Sequence, residues 1–202
     1  MNVGRLCAIL TILTFGIVGM IGGSPSVADS GLRTYENHGL RFRHPAELKL
    51  MGSASSKKIQ GMLNQQFQQM GQTQVAVVGL DVLLNLPAFR VMITKEQFET
   101  APAPDFLIKE REKFLKEAQM RGGVQSFGEM KRLTINGQAA IEFHDEDKGA
   151  RGYSSSVRIL CGKDTWHITF TGSTKATYQD YRPQIERMMQ SMSLVDQCEA
   201  GL

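Results

Sequence analysis

The sequence carries almost no surplus charge, and this shortage excludes one class of partner. Lysine and arginine total 23 against 20 aspartate and glutamate residues, which leaves a formal net charge of +3. A nucleic-acid surface needs basic residues clustered on one face of the protein. We therefore expect no nucleic acid as a partner.

The chain also lacks the motifs of the common enzyme classes. It has no phosphate-binding loop, no dinucleotide fingerprint and no paired-carboxylate constellation. The serines Ser154 to Ser156 are not set in the G-x-S-x-G pattern of a nucleophile elbow. Cys161 and His167 have no evident third group or oxyanion donor beside them. We expect no catalytic residues and no cofactor.

Long apolar runs are missing beyond the N-terminal stretch. The run from Leu6 to Ile21 is short for a membrane span of about 20 residues, and small residues follow it. This order is typical of a secretory signal peptide, for which we predict cleavage between Ala28 and Asp29. An uncleaved anchor is the alternative. We expect residues 1–28 to be the signal, and the mature protein to be periplasmic or extracellular without a stable membrane span.

The mature chain, residues 29–202, has the size of one domain and keeps two cysteines, Cys161 and Cys198. In an exported protein such a pair indicates a disulfide. The final helix and the strand before it have similar predicted lengths, so the helix should end level with the hairpin that holds Cys161. The tail can then bring Cys198 to it. We expect a monomer.

The pattern of apolar residues predicts an α+β fold. Three segments have an amphipathic helical period, and Asn136-Gly137 is a strong hairpin signal between two strands. The register of that hairpin places Ile135 opposite Gln138 and Leu133 opposite Ala140. Hairpin connections imply an antiparallel sheet. We predict about five to seven strands with helices packed on them, an α/β/α sandwich.

The stretch FHDEDKGARG, residues 143–152, concentrates acids and glycines between two predicted strands. It does not fit a calcium loop, and its single histidine is too little for zinc. We predict no metal there and interpret it as a solvated hairpin tip. Loops often carry recognition residues, which makes this a candidate recognition loop. Its residues are Asp145, Glu146, Asp147, Lys148 and Arg151.

Two segments of the chain resemble the PsbP-like family, which includes the photosystem lumenal protein and DcrB-like bacterial envelope proteins. They are RTYENHGLRFRHP and SVRILCGKDTWHITFTG followed by YQDYRPQIERMMQSMSL, a final helix with Tyr181, Pro183 and Ile185. The resemblance implies an α/β/α sandwich around an antiparallel sheet. It also implies an accessory or binding protein without catalytic activity.

These observations lead to one function hypothesis and two alternatives. The leading hypothesis is an exported, non-catalytic accessory protein that binds a protein partner in the cell envelope. The first alternative is a carrier of a small apolar, lipid-like ligand between sheet and helices, which would require a roomy apolar pocket. A hydrolase is the second alternative.

Overall fold

A computed structural model describes residues 31–121, 124–126, 129–147 and 152–195. Eleven strands and three helices follow one another along these residues. The strands are Leu32–Asn37 (β1), Leu40–Pro45 (β2), Lys49–Leu50 (β3), Val75–Asn85 (β4), Phe89–Phe98 (β5), Val124–Ser126 (β6), Lys131–Ile135 (β7), Gln138–Asp147 (β8), Gly152–Cys161 (β9), Asp164–Gly172 (β10) and Ser193–Leu194 (β11). The helices are Ser53–Gln69 (α1), Phe106–Arg121 (α2) and Lys175–Gln190 (α3).

The strands form two antiparallel sheets. The large, eight-stranded sheet has the order β3-β4-β5-β10-β9-β8, and the short strands β6 and β7 pair with opposite ends of β8. The small sheet has the order β1-β2-β11. This confirms the predicted antiparallel α+β class. The prediction did not separate the two sheets and counted fewer strands, because β3, β6 and β11 are too short to show a period.

Both faces of the large sheet are covered, so the fold has three layers. The main core lies between the large sheet on one side and α3 with the small sheet on the other. Alternate residues of β10 point into it, namely Trp166, Ile168 and Phe170. Helices α1 and α2 cover the opposite face over two smaller apolar clusters. None of the helices in the described residues has the length and apolar character that a membrane span needs.

The turns follow the chemistry of the sequence. Asn136 and Gly137 both have positive φ, 51° and 78°, as a two-residue hairpin turn with the right-handed strand twist requires. The predicted register is confirmed, with Ile135 opposite Gln138. His38 and Gly39 form an equivalent turn between β1 and β2, with φ of 53° and 77°.

The predicted helical stripes form the inner faces of α1 and α3. Leu63 and Phe67 of α1 are buried, whereas Met62 is 40% exposed at the margin of the stripe. In α3 the residues Tyr178, Tyr181, Ile185 and Met188 are buried. Pro183 lies inside α3.

Candidate functional site

The candidate recognition loop is in part a pair of strands. Asp145, Glu146 and Asp147 lie in β8, which runs on until Asp147 and pairs there with the first residue of β9. The prediction of a solvated hairpin tip is therefore wrong for Asp145 and Glu146, which lie in a paired strand and are partly buried, whereas the Asp147 side chain lies outside the described part of the structure. The glycines suggested an earlier end to the strand, but pairing with β6 and β9 on both edges of β8 extends it. Lys148 and Arg151 lie outside the described residues.

Asp145 is held by an arginine of α2. Arg111 Nη1 donates to Asp145 Oδ2 at 2.9 Å, and Arg111 Nη2 contacts the other carboxylate oxygen. The two side chains are 2% and 13% exposed, so water screens the pair little. Burial raises the pKa of the Asp145 carboxyl, and the arginine offsets part of that rise. Asp145 thus anchors α2 to the sheet and does not point to a partner.

Glu146 has a local partner of its own. The hydroxyl of Tyr153, its neighbour across the β8–β9 pair, donates to Glu146 Oε1 at 2.8 Å. Glu146 is half-buried, since its carboxylate lies along the strand pair rather than in solvent. Asp145 therefore attaches α2 to the sheet, and Glu146 stabilises the β8–β9 strand pair.

A second buried ion cluster lies under α2. Arg158 of β9 pairs with Glu110 of α2 through Nη1, and its Nη2 lies 3.4 Å from Glu96 Oε2 of β5. All three side chains are about 1% exposed. Burial raises the pKa of Glu96 to about 7; Arg158 lowers it somewhat, and the Glu110 carboxylate raises it further. One arginine thus serves two carboxylates, and the raised pKa of Glu96 lets its carboxyl take up a proton near neutral pH.

His167 stands beside this cluster on β10 and is uncharged. Burial lowers its pKa well below the ordinary value, and the positive charges of Arg158 and Arg111 add to that. Its Nε2 lies 3.1 Å from Thr169 Oγ1, which in turn lies 3.2 Å from Ser156 Oγ. The sheet face between the apolar clusters under α1 and α2 is thus filled with paired charges and hydroxyls. It offers an apolar ligand little to contact.

The structure assembles a serine–histidine–carboxylate chain that the sequence analysis missed. His144 Nδ1 lies 2.7 Å from Ser155 Oγ, and His144 Nε2 lies 3.2 Å from Glu142 Oε1. Glu142 and His144 share a face of β8 because they are two residues apart, and Ser155 faces His144 across the β8–β9 pair. The spacing of Glu142 and His144 was visible in the sequence. Placing Ser155 opposite His144 required the position of the turn between β8 and β9.

The Glu142–His144–Ser155 cluster is not accessible to a substrate, as catalysis would require. Ser155 is only 1% exposed, and its hydroxyl contacts the hydroxyl of Tyr178 as well as His144. Burial lowers the pKa of His144, which weakens it as a base. Ser155 and Tyr178 lie on β9 and α3, so the cluster ties the helix to the sheet. Its geometry favours a structural role.

No group of three or more histidine, cysteine, aspartate or glutamate side chains within the described residues could hold a metal ion. Of the acids in residues 143–152, Asp145 is paired with Arg111, and Glu146 accepts a hydrogen bond from Tyr153. Paired carboxylates are poor starting points for a cation site, because the arginine already supplies the positive charge.

The small sheet presents an exposed edge. Strand β1 ends the order β1-β2-β11 in the part of the chain that the structure describes. All residues of β1 are exposed except Tyr35, which packs into the main core. An edge strand offers its free N–H and C=O groups to a further strand. The exposed β1 edge is therefore a candidate surface for a partner strand.

Buried contacts hold the β1–β2 hairpin rigidly against the large sheet. The Tyr35 hydroxyl and the Asn37 amide donate to Asp81 of β4 at 2.9 and 2.8 Å. The indole Nε1 of Trp166 donates to the carbonyl oxygen of His38 in the turn at 2.8 Å. The imidazole of His38 packs so closely on Gly79 that a Cβ there would lie 2.5 Å from Nδ1. The edge is therefore presented by a fixed hairpin.

The hairpin is strongly basic. Arg33, Arg41 and Arg43 are exposed, and Glu36 is the single acid in β1 and β2. Arg41 Nε donates to Glu36 Oε2 at 2.7 Å, so the charges of these two side chains offset each other. Arg33 and Arg43 give the hairpin its surplus of positive charge. Sequence analysis missed this cluster, because the net charge of the whole chain hides it.

The disulfide between Cys161 and Cys198 stays a prediction. Cys161 is buried at the end of β9, whereas Cys198 lies outside the described residues. The chain before Cys198 is fixed to two hairpin turns: Leu194 N donates to Asn136 Oδ1 at 2.8 Å, and Val195 N donates to Gly39 O at 2.9 Å. The predicted cleavage residues Ala28 and Asp29 also lie outside the described residues.

Comparison with known proteins finds structural likeness only. No family model matches the chain, and no curated protein is similar in sequence. The immunity protein TplEi of Pseudomonas aeruginosa, solved with an "L" peptide, has a TM-score of 0.50 and 8% identity over 83% of this chain and 99% of that one. Cyanobacterial PsbP from Synechocystis sp. PCC 6803 has a TM-score of 0.49 and 11% identity over 87% and 99%.

LpqN, a Mycobacterium tuberculosis protein involved in cell envelope biogenesis, has a TM-score of 0.47 and 9% identity over 83% of this chain and 94% of that chain. A PsbP is thus among the structures found, as the resemblance in the sequence predicts. At these identities the likeness concerns the fold alone, and function has to be argued from the residues.

Proposed function

We propose that this chain is an exported, non-catalytic accessory protein of the cell envelope, and that it binds a protein partner along the open edge of β1. The observation that carries this proposal is the exposed edge strand on a hairpin fixed to the core through Asp81 and Trp166. A rigid edge costs little conformational entropy when a partner strand pairs with it.

Export rests on the N-terminal pattern of a short apolar run followed by small residues. The expected mature protein begins at Asp29. N-terminal sequencing of the protein from an envelope fraction tests this directly. Recovery of Met1 would contradict the cleaved signal and would favour the uncleaved anchor.

The fold is compatible with peptide binding. TplEi, whose fold is similar, was solved in complex with a peptide. This supports the proposal at the level of fold alone and names no partner for this chain.

The two alternatives find less support in the contacts. A carrier would need apolar space, but the sheet face under α2 carries ion pairs, and the side chains of Leu63 and Phe67 pack on the face under α1. The opposite face is packed with stacked rings, such as Phe89 on Tyr181 with centroids 4.2 Å apart. A hydrolase would need an accessible nucleophile, and Ser155 is buried.

Site-specific crosslinking followed by mass spectrometry tests the proposed function. A photoreactive amino acid replaces Leu32, whose side chain is 45% exposed on the edge strand, in cells that export the full chain. The control replaces Met62, which is 40% exposed on α1. We expect a defined envelope protein to be captured from position 32 and not from position 62. Equal capture from both positions, or none from position 32, would contradict a partner at this edge.

A further inference from the structure

The backbone of β1 alternates between its partner strand and the open edge. Ala46 N donates to Gly31 O at 3.0 Å, which places the odd-numbered residues of β1 in the hydrogen-bonded pairs with β2. In an antiparallel ladder every second residue bonds the partner, and the residues between them point the other way. The N–H and C=O groups of Leu32, Thr34 and Glu36 therefore face the open edge.

The side chains of these same three residues lie on the outward face of the small sheet. The inward alternation places Tyr35 in the core, so its neighbours Thr34 and Glu36 point away from the core. Thr34 is paired with Arg43, and Glu36 with Arg41. A partner residue would therefore meet a different surface at each edge position. The surface is apolar at Leu32 and basic at Thr34, because Arg43 lies beside it. At Glu36 the charge is offset by Arg41.

The charges decide between two kinds of occupant. A second copy pairing edge to edge would bring together two hairpins that each carry a surplus of positive charge, from Arg33 on one face of the small sheet and Arg43 on the other. Like charges facing each other across strands are destabilising. An acidic strand would instead place carboxylates beside arginines that have no described acid of their own on the hairpin. Charged side chains on an edge strand discourage pairing with strands that do not complement them. Arg33 and Arg43 therefore favour an acidic strand over a neutral one.

We infer that the partner contributes an extended acidic segment, which adds to the small sheet as a fourth strand beside β1. This inference rests on the proposed function and specifies it further. The segment carries an acidic residue opposite Thr34, where it reaches Arg43, and an acidic residue opposite Arg33. An apolar residue lies opposite Leu32, which is 45% exposed. Backbone hydrogen bonds provide affinity, and the two arginines provide selectivity.

A displayed library of random twelve-residue peptides, selected on the mature protein at low salt, is the first test. We expect the selected peptides to be enriched in aspartate and glutamate with an apolar residue close by. Their binding should weaken as salt rises, because the arginines are exposed and their attraction is screened. Selection of neutral or basic peptides at the edge would overturn the inference.

Two substitutions separate the backbone from the charges. Thr34→Pro removes an N–H that points to the open edge, and leaves the bonds between β1 and β2 in place. We expect Thr34→Pro to lower the affinity for the selected peptides about tenfold. Thr34→Val keeps the N–H and should leave that affinity unchanged. Arg43→Glu should weaken them at least as much, whereas Lys57→Glu, an exposed control on α1, should have no effect.

The outcomes distinguish the inference from the proposed function. Capture of an envelope protein at position 32 through a segment without acidic residues would keep the proposed function and overturn the acidic segment. Capture of a second copy of this chain would overturn both, and equilibrium sedimentation of the mature protein would then show a dimer. Equal peptide binding by Thr34→Pro and Thr34→Val would show that the edge backbone is not used. A thermal melt of each variant confirms that it is folded.

Discussion

The guanidinium of Arg111 on α2 and the carboxylate of Asp145 on β8 form a bidentate ion pair, with Nη1 2.9 Å from Oδ2. The guanidinium also lies over the ring of Phe143, 3.9 Å from its centroid. The pair bridges a helix and a strand that are separated by 34 positions in the chain. It gives the acidic stretch of β8 a structural role.

Replacing Asp145 with asparagine should therefore destabilise the protein markedly. The change leaves the Arg111 charge buried without its counter-ion, which costs about 3 kcal/mol of unfolding free energy. Asp105→Asn is the matched control, because Asp105 pairs with Lys109 on the surface, where both side chains are at least 50% exposed. An exposed pair of this kind contributes less than about 1 kcal/mol. Urea unfolding of both variants at pH 7 measures the difference, and equal losses would contradict the buried role of Asp145.

Glu96 should make stability depend on pH. Its pKa is raised to about 7 in the folded protein against 4.5 as the ordinary value. The folded state therefore keeps a proton that the unfolded state has released, so the free energy of unfolding falls as pH rises from about 4.5 to 7. Glu96→Gln imitates the protonated form and should be more stable than the natural protein above pH 7, by up to about 3 kcal/mol.

The pH series needs a difference measurement, because His167 acts in the opposite direction. Its lowered pKa makes the folded protein lose stability as pH falls below about 6.5. Urea unfolding of Glu96→Gln and the natural protein at pH 5, 6, 7 and 8 cancels that contribution. A gap between the two proteins that does not widen from pH 5 to pH 7 would show that Glu96 is ionised throughout.

Ser155 should not behave as a nucleophile. It is 1% exposed, and its hydroxyl is engaged by His144 and Tyr178. A fluorophosphonate probe should leave it unlabelled in the folded protein. Ser155→Ala should lower the unfolding free energy by about 1 to 3 kcal/mol, since it leaves buried partners unsatisfied. Labelling of Ser155 that is lost when His144 is replaced would instead support the hydrolase.

We expect Cys161 and Cys198 to form a disulfide. Val195 is already hydrogen-bonded to Gly39, and only a few residues separate it from Cys198. The bridge would close a loop of roughly 37 residues and contribute about 4 kcal/mol in the chain-entropy model. Peptide mapping without reductant should find the two cysteine peptides linked. Two alkylated free thiols in unreduced envelope protein would disprove the bridge.

Two glycine substitutions should change stability in opposite directions. A Cβ on Gly172 would lie 2.6 Å from the backbone nitrogen of Tyr178, so Gly172→Ala forces α3 away from β10 and costs about 2 kcal/mol. Gly61 lies in α1 with nothing within 4 Å of its added Cβ. Gly61→Ala should stabilise the protein by about 0.5 to 1 kcal/mol. Thermal melts of the two variants provide the comparison, and a loss in Gly61→Ala would be unexpected.

Local patterns in the sequence determined the fold class. The Asn136-Gly137 turn specified its hairpin down to the register, because two consecutive residues with positive φ leave one strand pairing. The apolar stripes of α1 and α3 identified their buried faces, since a helix that covers a sheet must place its apolar residues at helical spacing.

Only the tertiary structure decided what the polar residues do. Whether Asp145 faces solvent or Arg111 depends on how α2 lies over β8, and no local pattern encodes that. The contacts among Glu142, His144 and Ser155 likewise depend on the β8–β9 register. The open edge of β1 depends on a small sheet whose other edge is the two-residue strand β11, near the end of the described residues. Secondary structure follows short-range preference and periodicity, whereas charge pairing and strand edges depend on contacts between residues far apart in the chain.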